Sequence, residues 1–217
     1  MALRENFDLK LKQLNEKVLE LGSLAENAFV KSMEALQTKD IEAAIQVIEN
    51  DSYIDHLEED INDLAILLIA REAPVAVDLR RIIVAIKISS DLERVADYAV
   101  NIAKSVIRVG ETNHNIPDNS LLKMYEITKE MLGLSFKAYL EEDVVLAKKI
   151  AEMDDKVDHL YGETIKAFLQ LEHKDEFNQM TQLSFIARYI ERIGDYATNI
   201  SEGVFYVVKG IRYELNN

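Results

Sequence analysis

The sequence contains no cysteine, only 2 prolines and only 7 glycines among its 217 residues. The lack of cysteine excludes disulfide bonds, thiolate metal sites and a cysteine nucleophile. So few prolines and glycines argue against a turn-rich all-β fold and against long disordered linkers. The composition therefore favours a globular chain of long, uninterrupted segments.

Long apolar runs are also missing. The longest, such as residues 65–70, are much too short to span a bilayer. The N-terminal residues are charged and lack the apolar stretch of a secretory signal. We therefore expect a cytoplasmic protein with no signal peptide and no direct insertion into a membrane.

Basic residues are outnumbered by acidic ones. The chain has 25 Lys and Arg against 39 Asp and Glu, a formal net charge of −14. Such a charge repels nucleic acid and anionic lipid, so we expect no nucleic-acid partner. Basic protein surfaces and hard cations would be attracted. The same acidity would also keep an ordinary globular protein in solution, and composition alone does not separate these two interpretations.

Unbroken segments with helical spacing fill most of the chain. Residues 23–73 and 75–109 contain neither glycine nor proline. Apolar residues near the N-terminus recur at alternating steps of four and three, beginning with Phe7, Leu11 and Leu14. A repeat of 3.5 residues is the seam of a left-handed helical bundle. The pattern predicts long, bundled helices.

The ends of these helices are marked as well. Asp40 is a good N-cap for a second helix, which should end before Pro74 because the residue before a proline disfavours helical backbone angles. A third helix is expected from about Val75 to Val109, and Gly110 is suited to end it.

The second half of the chain repeats the plan of the first. Residues 93–102 align with residues 191–200, and seven of the ten positions are identical. Polar identities away from the apolar seam argue against generic helical similarity. We therefore predict an all-α fold: a tandem repeat of two three-helix bundles, forming a six-helix array with pseudo-twofold symmetry. The predicted domains are residues 1–110 and 120–217, joined by a linker at 111–119.

The repeated polar residues are carboxylates at helical spacing. Glu93 and Asp97 lie one turn apart on one helix face, and Glu191 and Asp195 reproduce this arrangement. Further candidate ligands come from other helices: Asp51, Asp55, Asp78, Asp154, Asp158 and Glu176. Oxygen-only clusters suit Mg²⁺, Ca²⁺, Mn²⁺ or carboxylate-bridged iron. Ordinary salt-bridged helix faces are the alternative interpretation.

Several catalytic signatures are missing. No P-loop, dinucleotide-binding motif or Gly-flanked serine occurs, so we expect no organic cofactor. The repeated Glu-x-x-x-Asp spacing also lacks the histidine of the Glu-x-x-His motif in ferritin-like di-iron sites. The leading hypothesis is therefore a protein that is not an enzyme. A carboxylate-bridged, metal-dependent enzyme on a helical bundle is the alternative, because it would use the same acidic residues.

The doubled acidic motif resembles the PhoU family of phosphate-transport regulators. It reads LERVADYA at residues 92–99 and IERIGDYA at residues 190–197. Pro74 followed by DLR at residues 78–80 resembles the same family, as does the three-helix repeat. The resemblance covers nearly the whole chain.

This resemblance implies a cytoplasmic negative regulator of phosphate uptake and of the phosphate-starvation response. Such a protein would couple a phosphate ABC transporter to a sensor histidine kinase. It also implies multinuclear iron or zinc bound by the acidic motifs, with Mg or Mn as alternatives. By position, Glu93 and Asp97 would serve one metal cluster, and Glu191 and Asp195 the other. A homodimer is one of the oligomeric states that the sequence allows.

Overall fold

The computed structural model describes residues 2–110, 119–169 and 177–215, and this part of the chain contains helices but no strand. Its seven helices are α1 (Ala2–Thr38), α2 (Ile41–Glu49), α3 (Asp51–Glu72), α4 (Val77–Val109), α5 (Ser120–Glu141), α6 (Val144–Leu169) and α7 (Phe177–Lys209). The predicted all-α fold is confirmed. The predicted linker, apart from Asn119, lies outside the described residues, so the domain division at that point stays a prediction.

The predicted second helix is interrupted at Asn50, which separates α2 from α3. The Asn50 side-chain amide donates a hydrogen bond to the carbonyl of Gln46 at 2.7 Å, and its backbone N–H donates to the same carbonyl at 3.2 Å. Asparagine competes in this way with regular helical bonding. The aligned position in the second repeat is Met153, which cannot form such a bond, and α6 runs through it without a break.

The first two helices of both repeats are joined by the same turn. Lys39 and Glu142 occupy aligned positions and both have left-handed backbone angles, with φ of 60° and 51°. Each is followed by an aspartate, Asp40 or Asp143, whose side chain accepts a hydrogen bond from the backbone N–H three residues later at 2.9 and 3.1 Å. The predicted cap at Asp40 is therefore confirmed. The two repeats share the backbone geometry of this turn as well as its aspartate.

The two bundles meet along their third helices. α1, α2 and α3 pack against α4, whereas α5 and α6 pack against α7, and α4 and α7 have the most extensive contact between any two helices. Arg80 near the start of α4 donates to the carbonyl of Val207 near the end of α7 at 3.3 Å, so the two helices are antiparallel. We call α4 and α7 the central pair.

The apolar core is continuous across the central pair. The predicted seam of α1 is buried at Phe7, Leu11, Leu14, Val18 and Leu21. Among the helices that the structure describes, none combines the length and the apolar character needed to cross a membrane.

Candidate functional site

Acidic residues of α3 and α4 form what we call the first acidic cluster: Asp51, Asp55, Glu58, Glu93 and Asp97. Their charges act on one another across the two helices. Glu93 is affected by Asp97 on its own helix and by Asp55 and Glu58 on α3, and Asp51 is affected by Asp55 and Asp97. The structure therefore brings together four of the predicted ligands and adds Glu58.

Few bases offset this charge. Arg94 donates to Asp97 at 3.3 Å and lies 3.6 Å from Glu93, and Lys104 acts on Asp51. Burial raises the pKa of Glu93 above its usual value, the charge of Asp97 raises it further, and Arg94 opposes both. The pKa of Asp51 is also raised, first by burial and then by Asp55 and Asp97. Five carboxylates thus face Arg94 and Lys104, so the first cluster carries a surplus of negative charge.

The second acidic cluster consists of Asp158 on α6 with Glu191 and Asp195 on α7. Arg188 donates to Glu191 at 2.5 Å, and Arg192 donates to Asp195 at 2.7 Å. Burial is the main cause that raises the pKa of Glu191 and of Asp158, and both arginines oppose the rise. Asp155 adds a further negative charge that acts on Asp158, so four carboxylates here face two arginines, whereas five face Arg94 and Lys104 in the first cluster. The second cluster is therefore closer to neutral than the first.

Two sequence differences between the repeats explain why the second cluster is less negative than the first. Arg188 stands where the first repeat has Ser90, and Tyr161 stands where it has Glu58. The two exchanged residues of the second repeat touch each other, because the Arg188 guanidinium lies 5.7 Å from the centre of the Tyr161 ring. An added base and a lost acid therefore make the second cluster less negative at one place.

Asp154 is placed differently from its counterpart Asp51. It is only 2% exposed, whereas Asp51 is half-buried. A Cβ atom at Gly194 would lie 2.9 Å from an oxygen of Asp154, which is too close for an ordinary contact. The first repeat has Ala96 at the position of Gly194. The glycine thus admits the Asp154 carboxylate into the contact between α6 and α7.

Besides Asp154, the predicted ligand Asp78 is not brought into either cluster. Asp78 lies at the start of α4, where Arg81 donates to it at 3.3 Å. It is fifteen residues before Glu93 on the same helix, which corresponds to about 22 Å. Glu176 lies outside the described residues.

Aromatic rings lie along the central pair between the two clusters. Tyr98 of α4 is 6.0 Å from Tyr196 and 5.7 Å from Tyr189, measured between ring centres, and Tyr189 is 6.4 Å from Phe185. We call these four residues the aromatic strip. The sequence signalled only Tyr98 and Tyr196, through their identical positions in the repeats, because Phe185 and Tyr189 have no aromatic counterpart.

Comparison with known proteins agrees with this duplicated architecture. The model of the PhoU domain matches residues 18–106 and again residues 121–204, once in each repeat. The chain belongs to the PhoU family. The "phosphate-specific transport system accessory protein PhoU homolog" of Clostridium acetobutylicum is 38% identical over 218 residues, covering 99% of each chain. The protein of the same name in Aquifex aeolicus is 39% identical over 203 residues, covering 93% of this chain and 92% of its own.

Solved PhoU structures have the same fold. The "phosphate transport system regulatory protein PhoU" from Streptococcus pneumoniae matches with a TM-score of 0.89 and 31% identity, covering 96% of this chain and 99% of its own. PhoU from Pseudomonas aeruginosa matches with a TM-score of 0.89 and 30% identity, covering 94% of this chain and 100% of its own. The predicted family and its duplicated helical fold are therefore confirmed.

The donor chemistry of the first cluster fits the metal that the PhoU resemblance implied. Carboxylate oxygens are preferred by hard and borderline cations. In the part of the chain that the structure describes, however, no three side chains of Asp, Glu or His are grouped so that they could hold one ion. Asp97 and Asp195 are turned toward Arg94 and Arg192 instead. A metal bound by these motifs would have to replace an arginine in each repeat, and the metal site stays a prediction.

Proposed function

We propose that the chain is a non-enzymatic, cytoplasmic adaptor that negatively regulates phosphate uptake and phosphate-starvation signalling. It would do so by binding a phosphate ABC transporter and a sensor histidine kinase. The names of its relatives support the first part, because they describe an accessory protein of the phosphate-specific transport system and a phosphate transport regulatory protein. The coupling to a kinase is part of the proposal and comes from the family resemblance.

The surplus charge of the first acidic cluster carries the proposal. Like charges held together and partly buried oppose one another, and an approaching positive group relieves this repulsion. A basic surface on a partner protein supplies such groups. The net charge of −14 also steers a basic partner toward the chain and speeds its association.

A bound cation would relieve the same repulsion. We propose that Glu93 and Asp97, supported by Asp51 and Asp55, hold iron or zinc, with Mg or Mn as alternatives. The metal would neutralise the cluster. The second site, with Glu191 and Asp195, should bind metal more weakly because two arginines already pair with these carboxylates.

Binding to the transporter and to the kinase tests the adaptor function. The purified chain is titrated against the phosphate ABC transporter in nanodiscs and against the cytoplasmic part of the kinase, at low and at high salt. Both complexes should form and should weaken with added salt, because exposed charges are screened over about 8 Å at physiological ionic strength. Affinities that do not respond to salt would contradict the electrostatic basis.

Elemental analysis tests the metal sites. Glu93→Gln with Asp97→Asn should remove more than half of the bound metal, whereas the matched pair Glu191→Gln with Asp195→Asn should remove less. Equal losses would contradict the difference between the clusters, and unchanged metal content would place the site elsewhere. Turnover by the metal-loaded chain, lost in the first pair of substitutions, would instead favour the alternative of a metal-dependent enzyme.

A further inference from the structure

The aromatic strip is partly accessible at the surface. Phe185 is 45% exposed, and Tyr98, Tyr189 and Tyr196 are half-buried. By contrast, Tyr139 is tied into the bundle, where its hydroxyl donates to Asn15 at 2.9 Å. The strip thus presents ring surface to the outside along the central pair.

The surroundings of the strip are charged in a regular way. Arg94 and Arg192 each lie one turn before a tyrosine of the strip, Tyr98 or Tyr196, and each donates to an acid of one cluster. Both arginines also act on Tyr196, so they lie near the rings while they pair with carboxylates of the two clusters. Tyrosine and arginine are, with tryptophan, the residues most enriched where a few contacts dominate protein binding.

The strip breaks the symmetry of the two repeats. The positions aligned with Phe185 and Tyr189 are Lys87 and Asp91, so these two rings have no aligned counterpart on the other side of the pseudo-twofold axis. On that side, Lys87 and Glu202 line a pocket together with Tyr206 and Tyr213. A segment lying along the central pair would therefore meet uncharged rings at one end and charged side chains at the other, and would bind in one direction.

We propose that the aromatic strip is the docking surface for one segment of a partner protein. This inference rests on the proposed adaptor function. The segment has aliphatic or aromatic side chains that cover the four rings, and lysines or arginines on both flanks that reach the two acidic clusters. Its apolar end lies over Phe185 and its polar end over Lys87.

Charge complementarity selects this occupant. A second copy of the chain in a twofold arrangement would bring acidic clusters toward acidic clusters, and the net charge of −14 would repel it. An anionic membrane surface is repelled for the same reason. A basic segment with an apolar centre satisfies both the rings and the carboxylates.

The test replaces the asymmetric half of the strip. Phe185→Lys with Tyr189→Asp gives α7 the residues that α4 carries at the aligned positions, and Phe185→Ala is a milder second variant that removes one exposed ring. Phe177→Ala is the matched control, because Phe177 is on the same helix, is 77% exposed and is not part of the strip. Binding is measured to the transporter in nanodiscs and to the cytoplasmic part of the kinase, and thermal melting verifies folding.

We expect the double variant to bind one of the two probes at least tenfold more weakly than the wild-type chain. Phe185→Ala should bind the same probe several-fold more weakly. Phe177→Ala should bind like the wild-type chain. Wild-type affinity in both strip variants would overturn the docking surface while leaving the adaptor function intact. A wild-type chain that binds neither probe would overturn both. A strip variant that changes only self-association would also overturn the proposal, because the occupant would then be a second copy.

Discussion

Asp91 is a buried acid whose ionisation should oppose folding. It lies on α4, facing α7, and is 9% exposed. Among the residues that the structure describes, no hydrogen-bond partner reaches its Oδ2 atom. Burial raises the pKa of Asp91 to about 6 from an ordinary value of 3.8; Glu202 adds to the rise, and Lys87 opposes it.

The raised pKa of Asp91 means that its ionisation destabilises the folded state. The folded state favours the neutral carboxyl, so the penalty is absent well below pH 3.8, grows as the pH rises and is complete above about 6. A shift of about two units corresponds to about 3 kcal/mol at 1.36 kcal/mol per unit. About half of this, about 1.5 kcal/mol, develops between pH 5 and pH 8.

Asp91→Asn removes this charge while keeping the shape of the side chain. Urea unfolding followed by circular dichroism, with a chelator present, gives the free energy of unfolding at both pH values. The variant should gain about 1.5 kcal/mol relative to the wild-type chain between pH 5 and pH 8. Comparing two pH values cancels any difference in packing between Asp and Asn. A stability difference that is the same at both pH values would refute the reasoning.

Two controls separate this effect from a general response to charge. Asp63→Asn removes an exposed charge on α3 and should not reproduce the pH-dependent gain. Glu202 accepts a hydrogen bond from the backbone N–H of Leu215 at 3.0 Å, and Glu202→Gln keeps an acceptor for it. The substitution removes the charge of Glu202, which adds to the rise in the pKa of Asp91. In the Glu202→Gln background, the pH-dependent gain from Asp91→Asn should therefore be smaller.

Two further substitutions test the second repeat, each by its free energy of unfolding. Gly194→Ala should lower stability by about 1–3 kcal/mol because the new methyl group meets Asp154. Gly162→Ala is the control: its methyl group meets no atom within 4 Å, so it should raise stability by up to about 1 kcal/mol. Equal effects of the two substitutions would contradict the close approach at Gly194. Arg188→Ala should lower stability at neutral pH by about 1–3 kcal/mol because it leaves Glu191 buried with one base fewer, and adding Glu191→Gln should recover most of the loss. No recovery in the double variant would show that Arg188 stabilises the fold through packing instead.

Helical spacing and the repeat were sufficient to predict most of the fold. The buried seam beginning at Phe7, the cap at Asp40 and the end of the third helix at Val109 all follow from local preferences. The break at Asn50 was missed because it depends on a side chain bonding its own helix, which apolar spacing does not reveal. The predicted third helix, which is α4 in the structure, begins at Val77, two residues later than expected. It follows Ala76, which has a φ of 47°.

The candidate site was less predictable because it depends on contacts between helices. Spacing along one helix placed Glu93 and Asp97 on one face and offered Asp51 and Asp55 as further candidates. The structure shows that the charges of these residues act on one another between α3 and α4. The same spacing was sufficient to separate Asp78 from Glu93, because the two residues are fifteen positions apart on the single helix predicted from Val75 to Val109.

Spacing did indicate the arginine partners, because Arg94, Arg188 and Arg192 each stand three residues before an acid of the motifs. The structure forms all three pairs, with Asp97, Glu191 and Asp195.

The antiparallel contact of α4 and α7 has an evolutionary consequence. A single three-helix unit would expose the apolar side of its third helix to water, and pairing with an identical unit would cover it. The present chain therefore has the form of a symmetric pair of three-helix units joined in one polypeptide. Because each unit is a separate stretch of sequence, substitutions fall on one copy at a time, and the two copies differ in charge and in aromatic content.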